Sequence, residues 1–122
     1  MKFDTNLAAF VDRLAALAHP HRLAVFRLLV VAGPEGRLPG AIATELAMPP
    51  SSLSFHLAHL RRAGLVQAAV QGRERRYVAD FAAMRGLVDF LTENCCAGTD
   101  CAPASVEKPG VALRALLERN VA

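Results

Sequence analysis

Between Leu38 and Ala79 the chain is punctuated in a way that few folds accommodate. An apolar-periodic stretch near Leu38 to Leu46 is broken at Met48-Pro49-Pro50, and a second runs from about Ser51 to Ala63, where Gly64 ends it. Two helices parted by about three residues form the helix-turn-helix pattern. The period then changes. Val66 to Val70 and Arg75 to Ala79 read as short strands around a turn at Gln71-Gly72-Arg73-Glu74.

The flanks are helical. Leu7, Phe10, Val11, Leu14, Leu17 and Ala18 form one stripe over Thr5 to Ala18, with Asp12 and Arg13 off it. Pro20 suits the first turn of a second helix, which carries Leu23, Phe26, Leu29 and Val30 before Gly33, Pro34 and Gly36 stop it. Phe81, Met84, Leu87, Val88 and Leu91 predict a last helix over Phe81 to Asn94. The order predicts a mainly α fold with a small β-hairpin, a winged helix-turn-helix domain over 1–94. Residues 95–122 follow as a cysteine cluster and tail, with "APASVEKPG" as a linker and a short helix over 111–120.

At 122 residues the core is modest, and domains of this size often complete their burial with a second copy. The stripes on the first and last helices exceed what one such domain covers, which predicts a homodimer. Charged residues interrupt every apolar run well before the roughly 18 residues of a membrane span, so no membrane partner is expected. The net charge of +3 is small but unevenly placed. Eight of the fourteen Lys and Arg lie between Arg22 and Arg76, five of them at Arg61, Arg62, Arg73, Arg75 and Arg76. That clustering points to a polyanion.

The second helix of the helix-turn-helix can be laid out at about 100° per residue. Leu53, Leu57 and Leu60 share a face that belongs in the core. Opposite them fall Ser51, Ser52, Phe55, Ala58, His59 and Arg62, with Ser54 and His56 on the flanks. This hydroxyl-rich, partly basic face suits phosphates and base edges, and Phe55 suits a thymine methyl. Arg73, Arg75 and Arg76 lie on a two-stranded ribbon of a size that fits against the DNA backbone or in the minor groove. The expected partner is double-stranded DNA.

"LAHPHRLAVFRLL", "SSLSFHLAHLRRAGLV" and "GRERRYV" resemble the ArsR/SmtB family of bacterial metal-sensing repressors, from about Leu14 to Phe90. The resemblance rests on Ala18-His19-Pro20 with Arg22, then Ser54, His56-Leu57, Leu60 and Ala63-Gly64-Leu65-Val66, then Gly72-Arg73 and Tyr77. It implies a homodimer joined through the first and last helices, bound to a partly palindromic operator and released by an inducer. Phe55 departs from the family pattern, in which many members carry a polar residue or His there.

The first helix-turn-helix helix, "ATELAMP", has no thiol or imidazole where the best-known arsenic site places cysteines. The last helix, "DFAAMRGLVDFLTEN", has no histidine for a zinc site. His19 and His21 flank Pro20 and are expected as capping or surface residues, with metal binding as the lesser alternative. What remains is "ENCCAGTDC", which holds all three cysteines, Cys95, Cys96 and Cys101, and resembles the C-terminal cluster of an arsenite-responsive subgroup.

The thiol chemistry agrees with that reading. Soft thiolates select soft acceptors, and trivalent arsenic or antimony takes three sulfurs in a pyramid; zinc would want a fourth ligand. Neighbours on a helix point about 100° apart, so Cys95 and Cys96 converge only if the helix has ended by Asn94. Gly98 then lets the chain turn toward Cys101, and Pro103 prevents the helix from resuming. The expected inducer is As(III) or Sb(III), with no catalytic cofactor. An odd cysteine count and no secretory signature near Met1 predict a reduced, cytoplasmic setting.

A thiol enzyme is disfavoured. Arsenate reduction through an acidic cysteine wants an Arg six places on and a helix N-terminus behind the thiol. Here Cys101, Ala102 and Glu107 stand six places after the three cysteines, and the cluster follows a helix C-terminus. A thiol-based redox repressor on the same fold is the nearer rival.

Overall fold

The computed structural model describes residues 5–99. Cys101, the 102–110 linker and the helix expected over 111–120 lie outside the described residues. The chain divides into two units, Met1–Leu91 and Thr92–Ala122.

Among the described residues, five α-helices and one hairpin follow in the order expected. Helix α1 is Thr5–Leu17, α2 Pro20–Ala32, α3 Pro39–Glu45 and α4 Pro50–Arg62; β1 is Val66–Gln71, β2 Glu74–Ala79 and α5 Phe81–Thr92. Proline occupies the first turn of α2, α3 and α4, where its missing N–H costs nothing. The last helix stops two residues earlier than the expected Asn94, because Asn94 adopts the left-handed conformation (φ 54, ψ 33).

The first unit is organised around α4. Leu53, Leu57 and Leu60 are buried against Val25 and Leu29 of α2, Ile42 of α3 and Leu65 before β1. Burying each such side chain stabilises the fold by about 1.5–3 kcal/mol. In α2 the buried stripe is Val25, Phe26 and Leu29, whereas Leu23 is exposed. Gly64 at φ +79 closes α4: the Leu65 N–H donates to the Leu60 carbonyl at 3.0 Å and the Gly64 N–H to Arg61 at 2.9 Å. These are the two bonds of a Schellman cap, and they turn the chain directly into the hairpin.

The hairpin pairs Val66 with Ala79 through Gln71 with Glu74, leaving Gly72-Arg73 as a two-residue turn. A third segment, absent from the sequence reading, joins it. Arg37 and Tyr77 exchange both backbone hydrogen bonds, at 3.0 and 2.9 Å. One residue earlier, Gly36 has φ +68, and a Cβ there would run into the Tyr77 carbonyl and the Val78 side chain. Only glycine fits this approach.

Candidate functional site

Along α4 the packing decides which side chains are available. Ser51, Ser54, Phe55, Ala58 and Arg62 are exposed and Ser52 half-buried, with Phe55 retaining 60% of its surface. Pro49 precedes the helix, and no side chain caps it. The amide groups of its first turn therefore lie on the same end as Ser51 and Ser52, an arrangement suited to phosphate.

The histidines depart from the sequence expectation. His56, expected on the flank of the reading face, is buried in the core side of α4 at 8% exposure. Among the described residues its Nδ1 has no hydrogen-bond partner. His59, expected on the open face, is half-buried, and its Nδ1 is likewise buried without a partner among the described residues. The start of α2 covers His56, whose ring lies against those of His19 and His21, while Asp12 and Ala15 of α1 line the cleft beside His59. Burial, with His19 and Arg22 nearby, pushes the His56 imidazole below its ordinary pKa. Burial, then Arg22 and Arg62, does the same to His59.

His19 takes the expected capping role: it is the N-cap of α2, and the His21 N–H donates to its Nδ1 at 3.2 Å. Sequence reasoning missed that His19, His21 and His56 come together. The ring centroids of His19 and His21 lie 4.9 and 5.7 Å from that of His56. Separations of 35 and 37 positions carry no periodic signal that could have joined them.

On the hairpin, Arg73 and Arg75 are exposed at and beside the turn. Arg76 is half-buried and donates from Nε to the Glu35 carbonyl at 3.0 Å. Alternation of side chains along β2 puts it on the opposite face from Arg75, toward the short segment before α3. The three arginines thus divide into two at the open tip and one tied to the fold.

In the second unit, Asn94, Cys96 and Ala97 all have left-handed backbone angles, and Gly98 has φ +85. This removes Cys95 and Cys96 from helical spacing. Both are exposed, with Sγ atoms 3.8 Å apart. Two sulfurs bound at about 2.3 Å to one tetrahedral centre stand about 3.8 Å apart, so a single thiophilic atom can bridge this pair. Among the described residues no single helix is long and apolar enough to cross a membrane.

A helix-turn-helix whose second helix offers an exposed polar face, followed by a basic hairpin, defines a winged helix-turn-helix DNA-binding protein. Residues 17–67 match the family described as a helix-turn-helix domain. Over 86 residues the chain is 37% identical to the HTH-type transcriptional regulator CmtR of Mycobacterium tuberculosis and Mycobacterium bovis, covering 70% of each chain. The chain belongs to the ArsR/SmtB family of transcriptional regulators, and these relatives are regulators, not enzymes. The fold is also that of an ArsR-like transcriptional regulator from Rhodococcus sp. RHA1, with TM-score 0.67, 23% identity and coverage of 98% and 97% of the two chains. A possible transcriptional regulator for arsenical resistance matches at TM-score 0.53 with 32% identity, over 66% of this chain and 84% of that one.

Proposed function

We propose that the protein is a cytoplasmic repressor that holds operator DNA as a homodimer and releases it when As(III) or Sb(III) binds Cys95, Cys96 and Cys101. The observation that carries the metalloid reading is the pair Cys95 and Cys96, exposed, out of helical spacing and 3.8 Å apart at Sγ. The likeness to a possible regulator for arsenical resistance supports the same inducer class.

DNA contact falls to Ser51, Ser52, Ser54, Phe55 and Arg62 on α4, with His59 at the edge of that face. Arg73 and Arg75 of the wing reach phosphates, and Arg76 assists from its tether. Operator binding by two copies needs reading helices about 34 Å apart. The dimer surface is supplied by α1 and α5, where Val11, Leu14, Val88 and Leu91 remain exposed in the single chain. Apolar side chains on two neighbouring helices are what a second copy would cover.

Release is geometric. Neutral thiols meeting arsenite as a hydroxide lose water and leave the formal charge unchanged, so the ion acts by fixing the chain just after α5. A hundredfold loss of operator affinity requires the inducer to prefer the non-binding arrangement by roughly 2.7 kcal/mol.

The test is operator binding by reduced protein titrated with arsenite, antimonite, zinc and peroxide, with X-ray absorption to count sulfurs around arsenic. Each Cys→Ser change should keep apo operator binding and blunt release by arsenite. Full arsenite response in all three single variants would overturn the trithiolate site. Release by peroxide, reversed by reductant, would establish the redox repressor in its place.

A further inference from the structure

One cluster of ligand atoms in the first unit is used neither by the DNA face nor by the cysteines. His19, His21 and His56 each offer a ring nitrogen within 4.8 Å of the other two. Nitrogens bound to one tetrahedral ion at about 2.0–2.1 Å stand about 3.4 Å apart, so small ring rotations close the set. Two of the three are on the exposed or half-exposed start of α2, while His56 is buried and comes from α4.

We propose that His19, His21 and His56 form a second metal site, for a divalent transition ion of the imidazole-preferring kind, which clamps the start of α2 to the reading helix. Three imidazoles without a thiolate favour zinc, cobalt, nickel or copper over a thiophilic metalloid. The site is therefore chemically distinct from the cysteine cluster.

Two further observations support it. The buried Nδ1 of His56 has no hydrogen-bond partner among the described residues, the condition in which a bound species offsets the cost of burial. Beside the cluster a cleft of about 120 Å³ is lined by His21, Leu46, Ala47, Met48, Ser52 and His56, giving an ion access and room for a completing water.

Binding has a local cost. His19 Nδ1 now accepts from the His21 N–H, so its ring proton sits on Nε2. An ion taken at Nε2 moves that proton to Nδ1, and an ion taken at Nδ1 displaces the bond directly. Either way the α2 cap is exchanged for a metal bond, which couples occupancy to the first turn of α2 and, through His56, to α4. His56 lies mid-way along α4, directly after the exposed Phe55 and two residues before Ala58, so the clamp holds the middle of the reading helix.

The experiment uses the full chain with Cys95, Cys96 and Cys101 all changed to Ser, so that the thiols cannot contribute. Cobalt(II) is titrated and followed by its visible absorption, then displaced by zinc. One ion per protomer is expected, with ring-proton NMR shifts at all three histidines. His21→Gln, at an exposed position, should weaken uptake at least tenfold. His19→Asn should do the same while keeping a capping oxygen, which separates ligand loss from cap loss. Cobalt uptake unchanged in both variants, or uptake that needs millimolar metal in the parent, overturns the site. Neither result bears on arsenite release, which is read with the thiols intact.

Discussion

The rings of Phe10 and Phe90 stack 4.1 Å apart with their planes 13° from parallel, so the first and last helices of the DNA-binding unit are locked to each other within one chain. Arg13 adds to the same corner, its guanidinium carbon 5.8 Å from the Phe10 ring centre and its Nε donating to the Ala63 carbonyl at the end of α4. Such aromatic pairs contribute about 0.5–1.5 kcal/mol beyond the area they bury. Phe90→Ala should lower stability by about 2 kcal/mol, less than a fully buried Phe would cost because the ring is half-exposed. It should also weaken self-association in sedimentation, since Val88 and Leu91 lie on the same helix. Unchanged urea midpoint and sedimentation would show that the stack supports neither.

The wing arginines should separate in a salt titration of operator binding. Arg73→Ala and Arg75→Ala should each weaken binding to all sequences and reduce the slope of log affinity against log salt by about 1, because each releases a counterion. Arg76→Ala should change the slope less, because its Nε is engaged by Glu35. Equal slopes for all three variants would refute the division.

Asp80 predicts an acid limb to the stability curve. It precedes α5, accepts from the Ala83 N–H at 2.9 Å and from the Gln67 amide at 2.7 Å, and these bonds hold its carboxyl below the ordinary range. A depressed folded-state pKa gives stability that is present above the unfolded value and lost as pH falls through the folded one. Asp80→Ala should therefore cost about 1 kcal/mol at pH 7, as capping losses do. The difference from the parent should shrink in urea melts as the carboxyl is protonated. A constant difference down to strongly acidic pH would assign the effect to packing instead.

Ala47 stands at the turn of the helix-turn-helix with φ 50, a conformation that an L-residue with a Cβ disfavours. The turn is held around it, with the Ala47 N–H donating to Thr44 and the Met48 N–H to Ala43 at 3.3 and 2.9 Å. Ala47→Gly should raise stability by about 0.5–1 kcal/mol, the relief of strain exceeding the entropy added to the unfolded chain. A lower thermal midpoint would mean that the strain is not there.

Much of this architecture was legible because it is written in local signals. The Met48-Pro49-Pro50 break, the Gly64 cap and the burial of Leu53, Leu57 and Leu60 depend on neighbours in sequence. What was not legible depends on contacts between distant segments. The pairing of Arg37 with Tyr77 is one isolated bridge with no alternating pattern to announce it. The burial of His56 and His59 is set by how α1 and α2 lie on α4, so a helical wheel of α4 alone placed both too far toward solvent. Ser51, Phe55, Ala58 and Arg62, laid opposite the buried leucines by the same wheel, are exposed.

The bridge between Arg37 and Tyr77 sets the free length of the wing. From Tyr77 to the tip at Arg73 is four residues, an overhang of about 13 Å at strand rise. With its base pinned by two backbone bonds, the hairpin behaves as a short lever rather than a hinged flap. A rocking of about 10° at the pin would carry Arg73 only about 2 Å. The tip arginines thus search a small arc, and its position is fixed by the body of the domain.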